Sequence, residues 1–325
     1  MNKYVSTILS ILLVFALPVI AKDKKGELKK LLREQLGFNG LIVTDATPMV
    51  GFCSAMDRAT AVPLSIENGC DMFLFNRNME EDFRLMREGY EKGILSDARL
   101  EEAVKRILAT KAAMHLPEKQ EKGQLVPDAS ALDILNCETY DCWAKECADE
   151  GVTLVKDIQN LLPIDPKKHK RVLLELMGDF PSNKRVCESF VRELEARGFE
   201  VTVYEPEGFE VMEDSVESFK SRYDLIFYVG NIETASNKTV SRLNWHTMFG
   251  LGNNMPWMVH EMPALFVSVG NPYHLLDAPM IKTFVNGYCN SEYVIHAVVE
   301  KLCGDSEFKG KSPIDPFCGK PDLKL

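Results

Sequence analysis

The sequence predicts an α/β protein in two parts, each a layer of buried parallel strands alternating with amphipathic helices. Short runs rich in β-branched and aromatic residues, such as Leu41-Ile42-Val43 and Leu225-Ile226-Phe227-Tyr228-Val229, recur between stretches of helical period. A stretch without period, Leu116 to Ala131, carries Pro117, Gly123 and Pro127 and reads as the linker between the parts. The length of 325 residues suits about two domains.

Each element follows in order. Leu28, Leu31, Leu32 and Leu36 fall at helical spacing, and Gly37 stands where a helix would end. Gly40 to Val43 is a buried-strand run that closes on Thr44 and the carboxylate of Asp45. Asp57 to Asn68 reads as a helix, Gly69 to Phe75 as a second buried strand, and Met79 to Gly89 and Ser96 to Met114 as two more helices. Beyond the linker, Asp141 to Gly151 is helical, and Val152 to Lys156 with Leu161-Leu162-Pro163 suggests a hairpin or edge segment. Arg171 to Met177, Asn183 to Arg197 and Glu200 to Tyr204 form a strand, helix, strand unit with Gly198 closing the helix. Asp224 to Gly230, Ala264 to Gly270 and Thr283 to Val285 are further strands, the last followed by a helix from Ser291 to Cys303. The second part is therefore expected to be a Rossmann-like α/β sandwich.

Composition narrows the function. Hydrophobic residues at 46% and charged residues at 26% exclude general disorder. A formal charge of −10, from 38 basic and 48 acidic residues, supplies no global positive field for nucleic acid or anionic lipid. A neutral or cationic small ligand suits it better. The nine cysteines include no CxxC pair, and Cys137, Cys142 and Cys147 are spaced so that each step turns the side chain by about 140° around a helix. They are expected mostly as small buried hydrophobes. None of the six histidines forms an HExxH or HxH pair, so neither a metal nor a cofactor is implied.

Tyr4 to Ala21 carries no charge, and Ile8 to Ala16 is almost wholly apolar behind Lys3, the layout of an export signal with Val19-Ile20-Ala21 as an acceptable cleavage site. Its length also approaches the roughly 20 residues of a membrane span. Lys22, Lys24, Lys25, Lys29 and Lys30 follow at once and resist translocation. Residues 1–21 are thus expected as a signal-like segment that exports or anchors the chain. The alternative is a cytoplasmic chain in which the segment is buried.

Leu31 to Leu116 resembles glycoside hydrolase family 3, in particular its β-N-acetylhexosaminidase branch. Leu31-Leu32-Arg33-Glu34-Gln35-Leu36-Gly37-Phe38-Asn39-Gly40-Leu41-Ile42-Val43-Thr44-Asp45-Ala46 carries the likeness, with Met49, Gly69-Cys70-Asp71-Met72, and Arg99 to Leu108. It continues through Glu150 to Lys156, Leu161-Leu162-Pro163 and Gly270-Asn271-Pro272-Tyr273. The resemblance implies the C-terminal part of a (β/α)8 TIM barrel over residues 22–116, a linker over 117–136, and an α/β sandwich over 137–325. The Thr-Asp-Ala form of the acid motif looks like the hexosaminidase branch; β-glucosidases of the family more often show Ser-Asp-Trp there.

The resemblance also implies that Asp45 is the nucleophile of a retaining glycosidase acting on terminal N-acetylglucosaminides. Placement agrees, because a carboxylate directly after a buried barrel strand faces the catalytic mouth. The alternative for Asp45 is a loop cap or an ion pair with Arg58. Met49, Phe75 and Asn76 are candidate sugar contacts at the same end of the sheet, and Trp245 and Trp257 could stack on a sugar or pack in a half-buried role.

A complete barrel takes about 250 residues, and the stretch between the apolar segment and the linker accounts for two or three strands. The family's Lys-His-Phe-Pro-Gly-His-Gly segment does not occur in the sequence. The expectation is a carbohydrate-cleaving chain impaired as a monomer and dependent on a complementing barrel half or on self-association. The other readings are a non-catalytic carbohydrate-binding or scaffold remnant, and a β-glucosidase-type member.

Overall fold

The computed structural model describes residues 29–135, 137–178, 181–205, 215–234, 238, 240–245 and 254–325, together with the backbone of 11–13, 247–248 and 251–252. The chain divides into two compact units, Met1–Ala131 and Leu132–Leu325.

In the first unit, β1 (Ile11–Leu13), β2 (Leu41–Ala46) and β3 (Met72–Leu74) form a parallel sheet in that order. The signal-like segment otherwise lies outside the described residues. Among those described, no helix is long and apolar enough to cross a membrane. A wide helical turn, Lys30–Gln35, ends at Gly37 with φ of +67°, the left-handed conformation that glycine adopts without a steric penalty. Between β2 and β3 lie α1 (Val50–Ala55) and α2 (Arg58–Glu67). The latter is capped by the Asp57 carboxylate, which accepts from the Thr60 N–H at 3.0 Å. After β3 come α3 (Met79–Glu91), α4 (Asp97–Ala113) and α5 (Leu116–Glu121). The last lies in the stretch expected as linker, and the unit boundary falls ten residues beyond it.

Leu32, Ile42, Ile66, Cys70, Leu95 and Ala103 make the core of this unit. At the N-terminal end of β3 the buried Asp71 carboxylate accepts from Arg99 at 2.6 Å, Arg33 at 2.7 Å and the Ile42 N–H at 2.9 Å. That carboxylate anchors the wide turn, β2 and α4 together, at the end of the sheet opposite Asp45.

The second unit contains α6 (Glu138–Gly151), β4 (Thr153–Asp157), β5 (Arg171–Met177), α7 (Asn183–Glu195), β6 (Glu200–Val203), α8 (Val216–Arg222) and β7 (Leu225–Gly230). The two-residue strands β8 (Thr247–Met248) and β9 (Leu251–Gly252) pair with each other. Then come β10 (Ala264–Ser268), β11 (Thr283–Asn286) and α9 (Glu292–Cys303). The main sheet runs β4-β11-β10-β7-β5-β6. All its pairings are parallel except β4 with β11. The expected Rossmann-like sandwich is therefore present, and of the two readings of Val152 to Lys156 the edge segment holds: β4 is the edge strand, antiparallel to Thr283–Asn286, and makes no hairpin with Leu161-Leu162-Pro163. Buried Val229, Val267 and Phe190 belong to the core on one face, and Tyr228, Phe266 and Phe284 to the core on the other.

The thiols depart from expectation. All nine are free, and Cys142, Cys147, Cys289 and Cys318 are exposed, whereas only Cys70 is fully buried. Burial pushes the Cys70 thiol up to about 12, which makes it unreactive at neutral pH.

Candidate active site

Asp45 lies one residue from the C-terminal end of β2, half-buried. The β2–β3 pairing is irregular just there: Val43 faces Met72 and Ala46 faces Leu74, so three steps on β2 answer two on β3. Such a bulge re-aims a side chain at the end of a strand. The Asp45 carboxylate accepts from the neighbouring Ala46 N–H at 2.7 Å, and among the described residues it forms no ion pair. Its alternative partner is engaged elsewhere. Arg58 pairs with Asp82, reaches Glu81 at 3.4 Å, and donates to the Thr47 carbonyl at 3.2 Å.

The loops that follow β2 and β3 are stitched together through Thr47, which is fully buried. The Thr47 N–H donates to the Phe75 carbonyl at 3.0 Å. Its hydroxyl accepts from the Arg77 N–H at 2.8 Å and donates to the Asp82 carboxylate at 3.1 Å. Asp82, 2% exposed in the first turn of α3, also accepts from the Asn76 side-chain amide at 3.1 Å. Burial acts against the charge on Arg58, but the adjacent Asp82 carboxylate outweighs it and holds the guanidinium above its ordinary value.

The four residues singled out from the sequence thus gather at one end of one sheet, with different dispositions. Phe75 has a backbone φ of +48° and a side chain 71% exposed. A left-handed aromatic residue is uncommon and concentrates at functional sites. Met49 caps α1 from a partly exposed position. Asn76 directs its amide into the protein toward Asp82, as a brace. Sequence reasoning missed Thr47 and Asp82 and read Arg58 only as a rival partner for Asp45. Asp82 closes the run Glu80-Glu81-Asp82, which is indistinguishable in sequence from acids that complement a helix dipole.

In the second unit Trp245 is half-buried and Trp257 is 46% exposed, each against an aromatic neighbour. Trp245 stands edge-on to Tyr228 at 6.1 Å, and Trp257 edge-on to Phe219 at 5.7 Å. Among the described residues no group of His, Cys, Asp or Glu side chains could hold a metal ion.

Residues 18–110 match the sequence model of the glycosyl hydrolase family 3 N terminal domain, and the chain belongs to that family. A β-N-acetylglucosaminidase/β-glucosidase of Cellulomonas fimi is 41% identical over 305 residues, covering 92% of this chain and 53% of the relative. Among solved structures, a β-glucoside phosphorylase, BglX, superposes with a TM-score of 0.80 at 41% identity, over 92% of this chain and 53% of its own. A family 3 β-N-acetylglucosaminidase from Paenibacillus sp. str. FPU-7 superposes with a TM-score of 0.62 at 19% identity, over 90% and 54%, and so shares the fold. The chain spans about half the length of the relatives it matches.

Proposed function

We propose that this chain is the nucleophile-bearing part of a retaining glycosidase that cleaves terminal β-N-acetylglucosaminides and β-glucosides. The observation that carries the reading is Asp45: a half-buried carboxylate at a bulged strand end, without a cationic partner among the described residues, while the nearby Arg58 is committed to Asp82. An unpaired carboxylate retains the electron density that a nucleophile needs. One Asp45 oxygen attacks the anomeric carbon, the bond to the glycosidic oxygen breaks, and that oxygen takes a proton as the leaving alcohol. The resulting ester is then opened by water, or by phosphate as the name of the BglX relative indicates. Phe75, exposed just after the neighbouring strand β3, offers a ring face for stacking on the sugar.

The acid that protonates the leaving group, a contribution of about 10²- to 10⁴-fold, is supplied by the front half of the barrel. Both the 2-acetamido and the 2-hydroxy sugar belong to the proposal, because the Cellulomonas fimi relative carries both activities in its name. The test is turnover of 4-nitrophenyl N-acetyl-β-glucosaminide and 4-nitrophenyl β-glucoside, with and without added phosphate, by the chain coexpressed with the front half of that relative's barrel. Release of nitrophenol that is lost in Asp45→Ala supports the proposal. Equal rates in the Asp45→Ala variant contradict it.

A further inference from the structure

Asp82, Arg58 and Thr47 form a buried cluster that has no direct contact with Asp45 and yet meets the chain two residues beyond it. We infer that Asp82 is a positioning residue for Asp45: it clamps the loop that follows β2 and keeps Arg58 from pairing with the nucleophile. The inference rests on the reading of Asp45 as nucleophile given above.

The geometry supplies two independent reasons. First, the bulge at Thr44–Asp45 breaks the regular ladder that would otherwise fix the direction of Asp45, so the strand end needs bracing from outside the sheet. Thr47 provides it with every polar group it has. Its N–H goes to Phe75, its hydroxyl lies between Arg77 and Asp82, and its carbonyl accepts from Arg58 at 3.2 Å and from the Cys53 thiol at 3.3 Å. A residue held at all of these points leaves one intervening residue, Ala46, through which Asp45 can move. The same clamp holds Phe75 in its left-handed backbone, since Thr47 bonds the Phe75 carbonyl and Asp82 bonds Asn76 next to it.

Second, Arg58 is the cation committed nearest to this loop, through the Thr47 carbonyl. Its side chain is 14% exposed and that of Asp82 is 2% exposed, so a guanidinium deprived of Asp82 would stay poorly solvated and seek another carboxylate. Glu81 is already at 3.4 Å, and Asp45 lies two residues before the Thr47 carbonyl that Arg58 holds. Pairing with Asp45 would quench the nucleophile. The carboxylate of Asp82 thus acts on the reaction by geometry and by occupying Arg58. Asn76 belongs to this brace, with one amide N–H committed to Asp82 at 3.1 Å.

The experiment has two arms, each on the full chain. In the first, hydrogen exchange compares the wild type with Asp82→Asn, Thr47→Val and Thr47→Ser. Asp82→Asn and Thr47→Val are expected to raise exchange at the Thr47 and Arg77 amides at least tenfold, with the strand Arg171–Met177 unchanged and Thr47→Ser close to wild type. Unchanged exchange at those two amides in both variants overturns the inference, whatever the activity. In the second, the chain coexpressed with the front half of the relative's barrel is labelled with 2,4-dinitrophenyl 2-deoxy-2-fluoro-β-glucoside. The rate of labelling of Asp45 at saturation is expected to fall by about 10²-fold in Asp82→Asn, the loss typical of a reacting group displaced by about 1 Å, while the half-saturating concentration stays put. Removing the released cation as well, in Asp82→Asn with Arg58→Gln, is expected to recover part of that rate. A fall in affinity with the rate at saturation preserved, or no recovery in the double variant, assigns Asp82 a purely structural role. Absence of labelling in the wild type refutes the function proposed for Asp45, and the exchange arm still decides whether Asp82 clamps the loop.

Discussion

Among individual residues, three aspartates in the first unit show how surroundings divide one side chain into separate roles. Asp71 is buried against Arg33 and Arg99 and serves as an anchor, Asp82 is buried against Arg58 and braces two loops, and Asp45 is half-buried with no ion pair among the described residues. In the second unit a buried acid has no such compensation among the described residues. Glu175 on β5 lies opposite Tyr228 on β7, is 2% exposed, and has one carboxyl oxygen without a hydrogen-bond partner. Burial pushes its pKa well above the usual carboxylate range. The unfolded chain therefore loses this proton first as pH rises. The stability is intact below the ordinary Glu value and declines as pH climbs from there toward the folded-state value. Glu175→Gln, which keeps the shape and cannot ionise, is expected to remove that decline. Thermal denaturation from pH 5 to 8 should show the wild-type Tm falling relative to the variant, and parallel curves would refute the assignment.

For elements, the close approach of α2 and α3 constrains the first unit. Gly89 on α3 approaches Pro63 on α2 so closely that an added Cβ would lie 2.3 Å from Pro63 Cγ. Gly89→Ala must therefore separate the two helices, and α3 carries Asp82. Overpacking of this kind costs about 1–3 kcal/mol, so the variant is expected to unfold at lower denaturant concentration, with the shift confined to probes in residues 29–121.

Most elements were legible in the sequence because a buried strand and an amphipathic helix have different periods, and strands such as Leu225–Gly230 coincide with a short apolar run. What was not legible depended on partners distant in sequence. Val152 to Lys156 reads equally as half of a hairpin or as an edge segment until Thr283–Asn286 is brought beside it. Asp45 stood out as a candidate through the likeness of Thr44-Asp45-Ala46 to the family's acid motif, with its place just after a buried-strand run in agreement. Thr47, in an Ala-Thr-Pro loop, and Asp82, in an acidic helix start, acquire meaning only when the loops after β2 and β3 are adjacent.

For the whole molecule, the second unit has an apolar core on each face of its sheet, whereas the first has one small core beneath three strands. In that unit Met79 and Phe83, four residues apart on α3, are each about 70% exposed, apolar surface of the kind that a further packed element covers. This fits a chain spanning about half of its relatives, and it makes the carboxylate, rather than turnover, the feature to test. An activated 2-fluoro glycoside needs no acid to expel its leaving group, so it isolates the nucleophile. Labelling the chain with 2,4-dinitrophenyl 2-deoxy-2-fluoro-β-glucoside, in the presence of the front half of the Cellulomonas fimi relative's barrel, followed by peptide mapping, should place one fluoroglucosyl ester on Asp45. A label on another carboxylate, or its persistence on the same peptide in Asp45→Ala, would contradict the account.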